Sequence, residues 1–253
     1  MIGIIGGTGV YNIIDNATDI TQKTLDTPFG KSPKILIFTI KDKEIAFITR
    51  HNSDHSIPPH KINYRANIWA LKEIGVTQII ATNSVGSMDL NIKPGALVIP
   101  DDFIDFTSGR ESTFFDETVE HVDICNPYCT RLREIILSNR EDIDCDLVDG
   151  GVYVCTNGPR FETPAEIKMF QKLGGTLAGM TGLPEAVLAR ELGMCYASIC
   201  ISSNYAAGIS PTKITLEEVL EILETVGDPL LKLIYKTIEK IDPTSDCECQ
   251  HPF

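Results

Sequence analysis

The sequence predicts an α/β fold in one domain, and three observations support this. Short apolar runs with the composition of strands alternate with segments whose apolar residues recur every three or four positions, as in amphipathic helices. A length of 253 residues and a hydrophobic content of 43% suffice for one large core. The chain has neither an internal repeat nor a low-complexity linker that would divide it. We therefore expect a single domain over residues 1–253, in which residues 242–253 form a C-terminal tail without a core pattern.

Apolar runs mark the strands near the N-terminus. Ile2–Ile5 is a short strand that leads into the glycine-rich segment Gly6–Gly9. Ile35–Ile40 and Ile45–Thr49 are two further runs rich in β-branched residues, and the four charged residues between them predict a β-hairpin.

A helix is predicted over Lys61–Ile74, because its apolar residues fall on one face and Gly75 follows as a stop signal. Buried strands are expected next, over Val76–Thr82 and Ala96–Ile99. The second half of the chain again alternates predicted helices and strands. Its predicted elements are a helix over Pro184–Leu192, a strand over Cys195–Ser202 and a last helix over Pro229–Ile241.

Two capping boxes predict where further helices begin. In this motif the hydroxyl of the first residue and the carboxylate three positions later cap each other's backbone N–H groups. Thr163 and Glu166 have this spacing, with Pro164 at the first helical position, and Thr215 and Glu218 repeat it.

Charge and hydropathy exclude several classes of function. The formal net charge is −13, which argues against nonspecific binding of nucleic acid, since that requires a basic face. No run of about 18 apolar residues is present to span a membrane, and the first residues lack the basic region of a signal peptide. We expect a cytoplasmic protein without nucleic-acid or membrane partners.

The chain contains eight cysteines, which is many for a cytoplasmic protein. Six lie in or beside apolar segments, where buried free thiols are expected. They are Cys125, Cys129, Cys145, Cys155, Cys195 and Cys200. The other two, Cys247 and Cys249, have only His251 near them and no second cysteine pair of zinc spacing, so no metal site is expected.

Two polar side chains stand out, each following an apolar strand. An ionised Glu162 can only accept hydrogen bonds, whereas the amide of Asn204 both donates and accepts. This pair suits the edge of a 6-oxopurine, which presents a ring N–H, a ring nitrogen and a carbonyl oxygen. A nucleoside enzyme is therefore the interpretation we favour.

Several further segments suit an anion. Glycines after the first strand allow backbone N–H groups to approach a phosphate, to which the hydroxyl of Thr8 can add a hydrogen bond. Arg50, next to His51 at the end of a strand, offers a planar fork for an oxyanion. Taken alone, the first segment is also explained by a tight turn and the second by a surface salt bridge.

Two later segments have the same ambiguity. Asn83 and Ser84 follow a buried strand, where α/β sheets place ligands, although a plain turn is the alternative. Thr181 precedes a predicted helix, whose backbone N–H groups favour an anion, although a helix cap is the commoner role. Met180 beside it suits either the core or the apolar face of a sugar.

Together these segments resemble the purine nucleoside phosphorylase and methylthioadenosine phosphorylase family. The matching stretches are Gly3–Gly9, Arg50–His51, Lys61–Leu71, Gly158–Phe161 and Met180–Glu185. The resemblance extends from Met1 to about Ile241 and is closest to archaeal members, which also carry a C-terminal Cys-X-Cys.

The resemblance implies a fold and a reaction. The fold is a single α/β domain with a central mixed sheet flanked by helices, assembled as a homotrimer or homohexamer. In the reaction, phosphate attacks the anomeric carbon of a nucleoside and releases a free purine and a sugar 1-phosphate. Inorganic phosphate is a co-substrate, and no metal or organic cofactor is required.

The resemblance also implies roles for residues. The phosphate would be held by Thr8, Arg50, His51, Asn83, Ser84 and Thr181. Ribose would rest on Met180, and Phe161 would pack against the base, whose edge meets Glu162 and Asn204. At the 5′ end of the sugar we expect Leu216, Val219 and, from a neighbouring subunit, His121.

Differences from the methylthioadenosine type indicate the substrate. That type has Asp at the positions of Asn204 and Ala206, and Ser at that of Glu162. An amide can donate to a carbonyl, and Glu162 accepts from the ring N–H of hypoxanthine or guanine but repels the bare ring nitrogen of adenine. Both changes predict 6-oxopurine nucleosides. The alternatives are methylthioadenosine phosphorolysis, a nucleosidase that uses water, and a noncatalytic nucleotide-binding module.

Two further expectations come from the resemblance. Leu216 and Val219, three positions apart on one helix face, would form an apolar wall, so 5′-methylthioinosine should be accepted at least as well as inosine, with guanosine also used. Core packing is the alternative for both residues. Likeness to thermophilic relatives implies a Cys247–Cys249 disulfide, which would be strained because the residues are only two apart. Cys129 with Cys195 is a further candidate pair.

Overall fold

Strands and helices alternate along the chain, as the sequence predicts. The computed structural model describes residues 1–6, 10–52, 56–210 and 215–253, without the side chains of Tyr11, Asn16, Leu216 and Glu218. The strands are β1 (Ile2–Gly6), β2 (Thr18–Lys23), β3 (Asp26–Thr27), β4 (Gly30–Lys31), β5 (Ile35–Ile40), β6 (Lys43–Thr49), β7 (Gln78–Ser87), β8 (Leu97–Ile99), β9 (Asp102–Asp105), β10 (Leu147–Asp149), β11 (Val152–Cys155), β12 (Leu177–Gly179) and β13 (Cys195–Tyr205). The α-helices are α1 (Tyr64–Glu73), α2 (Thr130–Leu137), α3 (Pro164–Lys172), α4 (Glu185–Glu191), α5 (Leu216–Thr225) and α6 (Gly227–Lys240). Short 3-10 helices cover Tyr11–Asn16, Pro59–Lys61, Arg140–Asp142 and Glu248–Gln250.

Within the described ranges, eleven strands form one mixed sheet. Its main order is β10-β8-β13-β7-β1-β6-β5-β2, and β12, β11 and β9 extend it from β7. The neighbours β6, β1, β7 and β13 run parallel, whereas β5 pairs antiparallel with both β6 and β2. The predicted α/β fold with a mixed sheet is therefore confirmed, as is the hairpin of β5 and β6.

The central strands of the sheet are buried on both faces. Along β13, Cys195, Ala197 and Ile199 belong to a core cluster with α2, α5 and α6, whereas Tyr196 and Cys200 belong to a second cluster with α1 and α4. This alternation follows from the two-residue period of a strand and explains why the strand is mostly apolar from Cys195 to Ile201. In the part of the chain that the structure describes, no helix has the length and apolar composition needed to cross a membrane.

Two strands extend further than the sequence predicts. The polar segment after Thr82 was expected to be a loop, but β7 continues to Ser87 because it pairs with β13 on one side and antiparallel with β12 on the other. Strand β13 likewise continues to Tyr205. Asn83, Ser84 and Asn204 are therefore held on strands rather than on loops.

Local signals explain the helix ends. Helix α1 begins at Tyr64 rather than at the predicted Lys61, because the side chain of Asn63 accepts from the N–H of Ala66 and caps the helix. Gly75 follows this helix at a φ of +89°, as its role as a stop signal requires. The Thr163 capping box is confirmed at α3. The second box depends on Glu218, whose side chain lies outside the described residues.

The C-terminal tail packs against the core although its sequence has no core pattern. Cys249 is 7% exposed and joins the cluster of α2, α5 and α6. All eight cysteines are free thiols, so neither the expected Cys247–Cys249 disulfide nor a Cys129–Cys195 bridge is formed. For the first pair, a separation of only two residues opposes disulfide geometry.

Candidate active site

A cavity of about 200 Å³ opens where the parallel strands β6, β7 and β13 end. The carboxyl ends of parallel strands lie at one edge of a sheet, and the loops leaving that edge supply ligand contacts. Most of the residues expected at the site line this cavity. They are Arg50, His51, Asn83, Ser84, Phe161, Glu162, Met180, Thr181, Asn204 and Val219.

Arg50 is positioned by a buried ion pair. Its Nε and Nη2 donate to the two carboxylate oxygens of Glu185, each over 2.7 Å, and its Nη1 donates to the carbonyl of Thr82 over 2.9 Å. Burial disfavours the charged guanidinium, but attraction to Glu185 outweighs this and raises the pKa of Arg50 above its ordinary value. Arg50 therefore keeps its charge, and its two remaining N–H groups can reach an anion.

The same residue lies beside the start of the glycine-rich loop. The backbone N–H of Arg50 donates to the carbonyl of Gly6 over 3.1 Å. Gly6 is the last described residue before Thr8, and Thr8 itself lies outside the described residues. His51, next in sequence, has its Nδ1 2.8 Å from the carbonyl oxygen of Ile57. A carbonyl can only accept, so Nδ1 of His51 carries a proton.

Thr181 and Asn83 belong to one buried polar network. The hydroxyl of Thr181 donates to Oδ1 of Asn83 over 2.8 Å, and Nδ2 of Asn83 donates to the hydroxyl of Ser198 over 2.7 Å. Asn83 is thus engaged with protein groups and fixes the position of Thr181.

The sequence predicted that the backbone N–H groups near Thr181 would face an anion, but in the structure they are engaged with a side chain of the protein. The N–H groups of Thr181 and Gly182 both donate to the hydroxyl of Tyr153, each over 3.2 Å. Helix α4 begins only at Glu185. Thr181 lines the cavity, but its backbone N–H is already engaged with Tyr153.

A β-bulge positions the amide of Asn204. Between Ser202 and Asn204 the pairing of β13 with β7 shifts by one residue, so Ser203 is the extra residue. Bulges redirect side chains, and here both Ser203 and Asn204 line the cavity. The hydroxyl of Ser203 donates to Oδ1 of Asn204 over 2.9 Å, and Nδ2 of Asn204 donates to the carbonyl of Tyr205 over 2.8 Å. One N–H of the amide therefore remains available for a ligand.

Glu162 is positioned by a hydroxyl. Its Oε1 accepts from the hydroxyl of Thr156 over 2.6 Å, which leaves lone pairs on both oxygens for a second donor. Next to it, the ring of Phe161 lines the cavity although it is 53% exposed. An exposed aromatic ring at a cavity is suited to stacking against a planar ligand.

Comparison with known proteins decides the family. Residues 1–239 match the family described as the phosphorylase superfamily. The chain belongs to the phosphorylase superfamily. Members similar to it include a protein of Methanothermobacter thermautotrophicus named probable S-methyl-5′-thioinosine phosphorylase, which is 56% identical over 99% of this chain and 88% of that protein. The 6-oxopurine nucleoside phosphorylase of Pyrococcus furiosus is 47% identical over 98% of this chain and 96% of its own length.

Solved structures of methylthioadenosine phosphorylases are similar to this chain. A methylthioadenosine phosphorylase from an antarctic soil metagenomic library has a TM-score of 0.93 and 30% identity, over 99% of this chain and 90% of that one. The Schistosoma mansoni methylthioadenosine phosphorylase in complex with adenine has a TM-score of 0.90 and 31% identity, over 99% and 94% of the two chains. The resemblance to nucleoside phosphorylases predicted from the sequence is thereby confirmed.

Two residues of this phosphorylase that support the site were given no role by sequence reasoning. Glu185 lies within a motif that indicates the family, but its pairing with Arg50 spans 135 positions in the chain. Arg110 lies in a loop, and its guanidinium donates to the carbonyls of Thr156, Asn157, Met180 and Leu183. It thereby ties the segment before Glu162 to the segment that carries Met180.

Three predicted residues are not brought to the cavity by the described chain. His121 is exposed and is not among the lining residues, and its expected role toward a neighbouring subunit stays a prediction. Thr8 and the side chain of Leu216 lie outside the described residues. Val219, from the same helix as Leu216, does line the cavity and also packs against the core.

Proposed function

We propose that this phosphorylase cleaves 6-oxopurine nucleosides with inorganic phosphate, yielding a free purine and ribose 1-phosphate or its 5-methylthio analogue. One observation carries the proposal: a single cavity is lined both by Glu162 and Asn204, which match a 6-oxopurine edge, and by Arg50, which has two N–H groups left for an anion. The names of the similar proteins from Methanothermobacter and Pyrococcus support the same substrate class.

The chemistry follows from the charges that develop. The bond between sugar and purine breaks through an oxocarbenium-like state, so negative charge grows on the leaving base. The available N–H of Asn204 donates to that charge only as it develops, which stabilises the transition state selectively. Phosphate is already an anion, and it therefore needs positioning by Arg50 and His51 more than deprotonation, with Thr181 contributing when its hydroxyl turns from Asn83 to the phosphate. Asn83 and Ser84 support these phosphate-binding residues, and Thr8 completes the phosphate site. No metal or organic cofactor takes part in the reaction.

Base selectivity comes from Glu162. A carboxylate accepts from the ring N–H of hypoxanthine or guanine, whereas the bare ring nitrogen of adenine would oppose it with a lone pair. A buried site group left without its partner costs on the order of 1–3 kcal/mol, so adenine nucleosides are disfavoured. Ala206, which lines the cavity, offers no acceptor to the exocyclic amine of adenine.

The sugar rests on Met180, and its 5′ end faces the side of the cavity formed by α5. Val219 lines the cavity there with an apolar side chain that would accept a methylthio group, and Leu216, expected beside it, lies on the same helix. His121 of a neighbouring subunit reaches the same end in a homotrimer or homohexamer. The enzyme works in the cytoplasm.

Methylthioadenosine phosphorolysis is the second candidate, because the similar solved structures include methylthioadenosine phosphorylases. The deciding experiment measures base release from inosine, guanosine, adenosine, methylthioinosine and methylthioadenosine, with and without phosphate. We expect phosphate-dependent cleavage of the 6-oxopurine nucleosides, with adenosine far behind. Turnover of adenosine equal to that of inosine would contradict the assignment to 6-oxopurines. Turnover unchanged without phosphate would identify a nucleosidase, and binding without base release would identify a noncatalytic module.

A further inference from the structure

Four cysteines from three distant parts of the chain meet at one point. Cys129 immediately precedes α2, Cys195 is the first residue of β13, and Cys247 and Cys249 lie in the C-terminal tail. Their four Sγ atoms all lie within 4.8 Å of one another. Three of these side chains are buried and Cys247 is half-buried. We call this group the four-cysteine cluster.

The spacing of the sulfur atoms is that of metal ligands. In a tetrahedral zinc site with Zn–S bonds of about 2.3 Å, neighbouring sulfur atoms lie about 3.8 Å apart. The Sγ atoms of Cys129 and Cys247 are 3.7 Å apart, whereas a disulfide requires about 2.05 Å. We propose that the four-cysteine cluster is a metal site in which four cysteine thiolates bind a thiophilic divalent cation, and that this cation is Zn²⁺.

The surroundings suit the charge of such a site. Four thiolates and one Zn²⁺ carry a net charge of −2, which is costly to hold in a half-buried position unless cations lie nearby. Nη2 of Arg131 lies 3.8 Å from Sγ of Cys195. Arg190 lines the same cavity as Cys129 and Cys249. Arg131 and Arg190 supply positive charge at this cluster of thiols, against the carboxylates of Asp123, Glu134 and Glu248 that line the same cavity.

An entry path for the ion is also present. A cavity of about 580 Å³ lies beside the cluster and is lined by Cys129, Cys247 and Cys249. Binding is acid–base chemistry without an oxidant: four thiols release four protons as four S–Zn bonds form.

The role of this site is structural. Cys195 and Asn204 lie nine positions apart on β13, which at about 3.3 Å per residue separates their backbones by roughly 30 Å. A metal ion here is therefore too far from the candidate active site to take part in the reaction. It would instead fasten the tail to the start of α2 and the start of β13, and its binding free energy would add to the stability of the fold.

The test uses the full chain, expressed with added Zn²⁺ and purified without oxygen. We expect one zinc ion per chain by elemental analysis. Co²⁺ loaded in its place should give the thiolate-to-cobalt charge transfer and the d–d bands of a tetrahedral site. Cys129→Ser and Cys249→Ser should each lose the ion and lower the Tm, whereas Cys125→Ser, an exposed cysteine outside the cluster, should retain both.

Two results would overturn the proposal. One is a purified protein that contains no metal, gives no charge-transfer or d–d bands with Co²⁺, and has all its thiols reactive. The other is an intact mass lower by four hydrogens that reductant restores, which would identify two disulfides instead. The spectrum and mass of the unsubstituted protein decide between these outcomes even where a serine variant fails to fold.

Discussion

Arg50 and Glu185 form a bidentate ion pair in which both side chains are almost fully buried, 1% and 0% exposed. The hydroxyl of Tyr196 adds a third hydrogen bond, donated to Oε1 of Glu185 over 2.8 Å. Burial raises the pKa of Tyr196 well above its ordinary value, so this hydroxyl keeps its proton and remains a donor. Glu185 thus orients the residue that we assign to the phosphate.

Removing one partner of this pair should therefore affect stability and activity together. Glu185→Gln leaves a buried guanidinium without a countercharge, for which we expect a loss on the order of 3–5 kcal/mol in the free energy of unfolding. The apparent KM for phosphate should rise strongly as Arg50 loses its orientation. Urea unfolding and phosphate-dependent initial rates provide the two measurements.

A double variant separates the two effects. Arg50→Met combined with Glu185→Leu removes both charges, so most of the stability should return while turnover stays low. As a matched control, Asp149→Asn breaks the exposed Arg133–Asp149 pair and should cost less than about 1 kcal/mol. A double variant with normal use of phosphate would show that Arg50 does not serve that substrate.

Asn204→Asp tests whether the amide of Asn204 recognises the purine base. The change removes the N–H that we assign to the leaving purine and adds a negative charge beside it. We expect kcat/KM for inosine to fall roughly five- to 150-fold, corresponding to about 1–3 kcal/mol, and the ratio of adenosine to inosine turnover to rise. The same substitution at the exposed Asn91 should leave both quantities unchanged. A uniform loss on both nucleosides would assign Asn204 to positioning the strand rather than to base recognition.

Gly158→Ala tests the packing beneath the sugar. Gly158 has a φ of +59°, and an added Cβ would lie 2.5 Å from Sδ of Met180, so this side chain must move. Gly109→Ala is the matched control, because its φ of +67° imposes the same backbone strain but its Cβ meets nothing within 4 Å. Both variants should lose about 1 kcal/mol of stability, but only Gly158→Ala should raise KM for the nucleoside. Equal KM values would remove Met180 from the sugar site.

The residues that line the candidate site are easier to predict from the sequence than the residues that hold them in position. Arg50, Glu162 and Asn204 are predictable because each polar side chain follows an apolar strand, and the ends of parallel strands share one edge. The pairing of Glu185 with Arg50 is not predictable from local pattern, since it depends on how the fold brings α4 to β6. The lengths of β7 and β13 were underestimated because their polar ends look like loops in sequence.

The cysteines show the same limit. Cys247 and Cys249 are two positions apart in sequence, and likeness to thermophilic relatives predicted a local bridge between them. Cys129 and Cys195 join them only through the packing of α2 and β13 against the tail, and this long-range contact leaves no signal in residue spacing. For the same reason the tail packs against the core although its sequence has no core pattern.

Val219→Thr tests the 5′ end of the sugar. The two side chains have nearly the same shape, so the change adds a hydroxyl to the apolar wall while disturbing its packing little. If Val219 contacts the 5′ substituent, kcat/KM for methylthioinosine should fall relative to inosine by about four-fold, since burial of one methyl-sized group contributes roughly 0.8 kcal/mol. Leu220→Thr, at an exposed neighbouring position on the same helix, should leave the ratio unchanged. Because Val219 also packs against the core, an equal loss on both substrates would assign it to packing alone. In that case the preference for a methylthio group would have to come from Leu216 or from the neighbouring subunit.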